Sequence, residues 1–156
     1  MLFMNIFRAL HGAFLAFLFL TLTACASDDR LVIESRNGNH SFTVEVVDTP
    51  ETRAKGLMYR EALAPDAGML FDFKESREVS FWMSNTLIPL DMVFITAEGL
   101  VANIHANARP LDVTSIPSDG PVMFVLEIPG GRAKELGLAA GDRVIHDRIK
   151  NGAKAG

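Results

Sequence analysis

The stretch Leu31-Val32-Ile33-Glu34-Ser35-Arg36-Asn37-Gly38-Asn39-His40-Ser41-Phe42-Thr43-Val44-Glu45-Val46 decides how the chain starts to fold. Leu31 to Glu34 is short, apolar and β-branched, which suits a strand. Asn37-Gly38 supplies the positive φ of a tight turn, flanked by Arg36 and Asn39. Beyond it Phe42, Val44 and Val46 point one way, and Thr43 and Glu45 the other. That period of two belongs to a half-buried strand. The stretch is therefore expected to be an antiparallel hairpin.

Downstream the same pattern recurs. Gly68-Met69-Leu70-Phe71-Asp72-Phe73 and Val122-Met123-Phe124-Val125-Leu126-Glu127-Ile128 read as buried strands, and Val79 to Met83 as another. Met92 to Ile95 and Leu100 to Ile104 flank Ala97-Glu98-Gly99, a hairpin turn. Arg143 to His146 forms a last strand after Gly141-Asp142. Only two helices are expected, both short. Thr49-Pro50-Glu51 starts the first, with Thr49 as cap, Pro50 in the first turn and Gly56 as the stop. Gly130-Gly131 opens the second, which Gly137 ends. Arg109 to Pro121 reads as a long loop. No period repeats along the chain, and strand signals outnumber helical ones by about three to one. The fold class is α+β, with a mainly antiparallel sheet or barrel-like core and two short helices.

The 156 residues allow one domain. Ahead of it lies an export-type leader: Arg8, the uncharged apolar run Ala13 to Leu22, then small residues. The run is too short to cross a bilayer, which favours a removed signal over a retained helix. Leu22-Thr23-Ala24-Cys25 resembles a bacterial lipobox, and Cys25 is the only cysteine of the chain. The organisation expected is a signal at 1–24, a tether at 25–30, one β-rich domain at 31–150 and a frayed tail at 151–156. Cys25 would carry lipid and hold the domain in the periplasm or at the outer membrane of a Gram-negative bacterium. Cleavage at Ala24-x-Ala26 would instead leave a soluble periplasmic protein. Removing 1–24 leaves 14 basic and 19 acidic residues, a net charge of −5. That charge disfavours nucleic acid and electrostatic docking on anionic lipid, so the membrane would be met through the anchor alone. With one cysteine the domain forms no internal disulfide, and a monomer is expected.

Phe81-Trp82-Met83-Ser84-Asn85-Thr86-Leu87-Ile88-Pro89-Leu90-Asp91 is the densest chemical signal. Polar Asn85 and Asp91 sit among apolar residues, where a carboxylate needs donors. Either Trp82, Asn85, Thr86 and Asp91 surround a concave site with Trp82 as a stacking platform, or Asn85 and Asp91 hold loops onto the sheet. Glu127 joins the candidate ligand-binding set. It is expected to pair with an arginine such as Arg60 or Arg53. His40, His105 and His146 lack metal-ligand spacing, so no metal or other cofactor is expected. Gly130-Gly131 either offers its N–H groups to an anion or is a plain turn.

The runs GLMYR (56–60), GMLF (68–71), WMSNTLIPLD (82–91), VLEIPGG (125–131) and the pair Gly141-Asp142, in that order, resemble the family called domain of unknown function 192. Ser84 stands where a lysine is common in that family. The resemblance implies a compact, β-rich, often exported domain, and implies no reaction. The first functional expectation is a lipid-anchored accessory module that binds a small molecule, glycan or envelope partner near Trp82, Asn85, Thr86, Asp91 and Glu127. The alternative is a hydrolase-like envelope enzyme using Asp91, Glu127 and His105.

Overall fold

The computed structural model describes residues 29–149. The expected signal, Cys25 and the tail from Lys150 lie outside them. Within the described residues the chain runs β1 (Arg30–Ser35), β2 (Gly38–Val47), α1 (Pro50–Lys55), β3 (Ala67–Arg77), β4 (Ser80–Phe81), β5 (Leu90–Ile95), β6 (Val101–Ala108), β7 (Ile116–Pro117), β8 (Val122–Pro129), α2 (Arg132–Leu136) and β9 (Arg143–Ile145). Seven strands form one curled sheet in the order β6-β5-β8-β3-β2-β1-β9, while β4 and β7 pair separately. The α+β class with a barrel-like core and two short helices is the observed architecture.

The first hairpin forms as its sequence dictates: Ser35 pairs with Gly38, and Arg30 with Thr43. β2 and β3 then run parallel, from Thr43 opposite Ala67 to Val47 opposite Phe71. This one parallel pair needs a crossover, which α1 and the 57–66 loop supply. The Thr49 side chain accepts from the Thr52 N–H, and Thr52 returns a bond to the Thr49 backbone, so the helix starts on a reciprocal cap. The remaining pairs of the large sheet are antiparallel. The two edges of the curled sheet meet where Leu100 bridges Arg143. Val101 N–H donates to Asp142 O at 2.9 Å, and Val144 N–H to Gly99 O at 2.7 Å. Bringing the edges together there shields backbone groups that would otherwise template aggregation.

Several boundaries differ from the sequence expectation. The strand expected over Val79–Met83 is only Ser80–Phe81, because residues from Trp82 leave to make the next loop. The 109–121 loop contains β7, in which Pro117 is tolerated because β7 is an edge.

Alternation divides the core in two. One face of the sheet buries Leu31, Ile33, Phe42, Val44, Leu70, Val93, Leu126 and Ile128 inside the curl, where Ala133 of α2 plugs one end. The other face carries Met69, Phe71, Met92, Phe94 and Val125 under β4, β7 and the long loops. β5 is buried along its whole length, and β8 nearly so, since both faces are covered.

Candidate functional site

Trp82, Thr86 and Glu127, three of the five residues singled out as candidates, line one cavity of about 340 Å³. Its walls come from α1 and the turn after it (Arg53 to Met58), from Phe71 and Phe73 of β3, and from Ser80 and Phe81 of β4. The rings are mutually oriented. Phe71 and Phe81 meet edge-to-face at 5.0 Å between centroids, and Phe73 and Phe81 at 6.2 Å. Trp82 is 58% exposed, at the wall rather than in the core. Gly56 is required beside it: at φ 47° a Cβ would approach the Phe71 ring to 3.1 Å.

Glu127 is 4% exposed. It lies opposite Met69 on one side and Met92 on the other, so its neighbours across the sheet offer no charge. Among the described residues its carboxyl has no hydrogen-bond partner. Burial pushes its pKa up to about 8, so the group is mostly protonated at neutral pH. The expected arginine partner is not there. Arg60 makes a bidentate pair with Glu45 on the surface. Arg53 donates to Asp48 O at 2.8 Å and Asp72 O at 2.9 Å, and stacks over Phe73 at 5.2 Å. Both guanidinium groups bond other acceptors, Arg53 through Nη1 alone.

Asp91 lies elsewhere. It faces Ile128 across β5–β8, while Glu127 faces Met92. One position of offset puts the two carboxyls on opposite faces of the sheet. Asp91 is fully buried and accepts from three backbone N–H groups: Asn107 at 2.6 Å, Gly131 at 2.9 Å and Ala133 at 2.6 Å. Of the Gly130-Gly131 turn, the Gly131 N–H does meet an anion, and the anion is this side chain, while the Gly130 N–H bonds Pro89 O. α2 begins at Gly131 without a side-chain cap of its own, and Asp91 supplies one from β5. Of the two readings left open for Asp91, the loop-holder is the one this geometry carries.

Asn85 does not line the cavity, and its side chain does not tie loop backbone either. It adopts φ 54°, its carbonyl accepts from Tyr59 N–H at 2.9 Å, and its amide lies 4.0 Å from the Met58 sulfur. His105 is exposed and borders a separate groove with Met83 and Asp112. Asp91, Glu127 and His105 therefore share no cleft. Among the described residues no group of three His, Cys, Asp or Glu is placed to hold a metal ion.

The backbone around the cavity loop is unusual. Tyr59, Asn85 and Leu111 all have positive φ, at 65°, 54° and 63°. They are linked: Tyr59 N–H bonds Asn85 O, and Leu111 N–H bonds Thr86 O at 3.1 Å. Non-glycine residues in this region are held there by their surroundings, and such clusters concentrate at binding sites. Sequence gave no sign of Tyr59 or Leu111, because neither residue type favours that conformation.

The family model for DUF192, described as Uncharacterized ACR, matches residues 32–146. The chain belongs to the DUF192 family. Two solved structures are similar to it. One is a protein from Sinorhizobium meliloti 1021 named as a candidate transcription regulator, 47% identical, with a TM-score of 0.73 over 74% of this chain and 91% of that one. The other is a protein of unknown function from Novosphingobium aromaticivorans DSM 12444, 42% identical, with a TM-score of 0.73 over 74% of this chain and 83% of that one. Comparison with curated proteins gives no match. The matched span of the DUF192 domain contains the whole cavity, from Arg53 to Glu127.

Proposed function

We propose that this DUF192 protein is a ligand-binding accessory module of the cell envelope, exported and held by lipid on Cys25. The carrying observation is the cavity floored by Glu127. A carboxyl buried without a donor costs stability, and folding alone gives no return for it. An aromatic-walled cavity ending on such a group is what a small-molecule site requires: apolar area for affinity and one polar group for orientation. The regulator named for the Sinorhizobium meliloti relative does not transfer readily. This chain carries more acidic than basic residues, and a nucleic-acid surface needs the reverse.

The anchor is supported by sequence and by the geometry of the domain entrance. Asp29 O accepts from Val44 N–H, one residue from Thr43, whose N–H bonds Asp66 O. Arg132 reaches Pro65 O, and Gly130 N–H bonds Pro89 O. The chain thus enters at the end of the curl from which the 57–66, 82–89 and 109–115 loops project. Those loops carry exposed Tyr59, Leu87, Leu111 and Val113. A tether only a few residues long would turn that apolar end toward the bilayer.

Native mass spectrometry of the domain purified from its own host tests the binding reading. A mass increment on the wild type that is lost in Trp82→Ala is expected; a wild type that is always empty overturns it. Labelling cells with a palmitate analogue tests the anchor, and a Cys25→Ser variant that still takes label ends that part.

A further inference from the structure

We propose that the cavity takes a small organic cation, with its ammonium group against the Glu127 carboxyl and its apolar body against Phe71, Phe81 and Trp82. This rests on the ligand-binding reading above and narrows it to one chemical class.

What the floor lacks is a donor. Glu127 is buried, opens into the cavity, and has no hydrogen-bond partner among the described residues. An ammonium group supplies N–H donors and the missing counter-charge together, and a charge-assisted bond is the strongest available to a carboxylate. The walls fit the same ligand. Aromatic rings attract a cation through their faces and offer area to its hydrocarbon part. The protein itself uses this attraction next door, where Arg53 and Arg77 each lie 5.2 Å from the Phe73 centroid.

The charged groups facing the cavity do not already fill the role. Arg53 and Lys55 of α1 are the titratable residues that line it together with Glu127; β3, β4 and the 82–86 loop contribute none. Arg53 is bound to two backbone carbonyls, and Lys55 is exposed on the helix. Neither contributes to the raised pKa of Glu127, for which burial is the cause. An anionic ligand could meet α1, but it would then lie over a buried acid. A neutral ligand would leave Glu127 protonated.

Proton balance separates these cases. At neutral pH a protonated amine entering the cavity pairs with the ionised carboxylate, and one proton leaves Glu127 for solvent. Affinity for a cation then rises about tenfold per pH unit up to about 8 and levels off above it. Trp82 is the only tryptophan of the chain, so its fluorescence reports occupancy of this cavity directly. Three probes of similar size carry the test: 2-phenylethylammonium, 2-phenylethanol and phenylacetate, titrated from pH 6 to 8.5. The expected result is 2-phenylethylammonium binding with that pH profile, and at least about tenfold tighter than the other two at pH 8. Glu127→Gln should abolish both the profile and the preference while melting at no lower temperature. Equal or tighter binding of the alcohol or the acid, or an unchanged Glu127→Gln, overturns the cation class and leaves the binding reading standing. If none of the three binds while native mass spectrometry shows a co-purified molecule, the cation class alone is overturned. If the protein is also empty there, both readings fall.

Discussion

Glu127 shows how a single residue can be legible in type and illegible in circumstance. Its place in Val122–Ile128 marks a carboxyl inside an apolar run, and that much follows from sequence. Its partner does not, because Arg60 and Arg53 are claimed by Glu45 and by the Asp48 and Asp72 carbonyls, contacts that only the fold brings together. The consequence is a pH dependence of stability. The folded-state pKa of about 8 lies above the unfolded value near 4.3. Between these values the folded protein binds the extra proton, so stability is complete below about pH 4, falls as pH rises, and levels off above about pH 8. Glu127→Gln removes this slope and should gain on the order of a few kcal/mol over wild type at pH 8.5. Denaturant melts of both proteins at pH 5, 7 and 8.5 check it; parallel curves at all three would show that Glu127 does not titrate in that window.

At the scale of elements, the first hairpin was readable because Asn37-Gly38 and the alternation at Phe42, Val44 and Val46 are local signals. The parallel β2–β3 pair was not, since nothing in either strand encodes which neighbour it takes across a crossover. β7 was hidden for a similar reason: two residues, one of them a proline, carry too little pattern to register. Asp91 is the most instructive case. The apolar context showed that it must be satisfied, and only the return of β8 into α2 showed by what. It caps a helix from another element and joins that helix to the end of β6. Asp91→Asn presents an amide to three N–H donors and leaves at least one of them unpaired. The expected cost is about 3 kcal/mol or more, seen as a lower melting temperature. Ligand binding at the Glu127 cavity should survive at temperatures where the variant is folded, since the two sites lie on opposite faces. Loss of binding with unchanged stability would reverse that assignment.

Electrostatics also tie the last described residues to β2 and β3. Lys74 bridges Asp48 at 2.8 Å and Asp72 at 2.9 Å, and Arg148 bridges the same two at 2.9 Å and 3.4 Å. The hydrogen bonds from Lys74 and Arg148 hold the Asp48 carboxyl down at about 2. The segment after β9, which runs antiparallel beside the start of β1, is therefore fastened to Asp48 after β2 and to Asp72 of β3.

A short tether gives the whole molecule an orientation that can be tested. If lipid on Cys25 holds the protein, the three residues between it and Asp29 reach at most about 15 Å when extended. The loops carrying Tyr59, Leu87, Leu111 and Val113 then lie at the bilayer surface, where an aromatic ring and scattered aliphatic side chains gain by partial burial. The net negative charge opposes approach to anionic lipid, so the contact should be stronger on zwitterionic vesicles than on acidic ones. Amide hydrogen exchange of the lipidated protein on phosphatidylcholine vesicles, compared with the soluble Cys25→Ser form, should show added protection in residues 57–63, 82–88 and 109–114. No change is expected at the 96–99 turn, at the other end of the β5–β6 pair. Equal exchange in both forms would mean that the domain hangs clear of the membrane, and that the exposed apolar end serves some other contact.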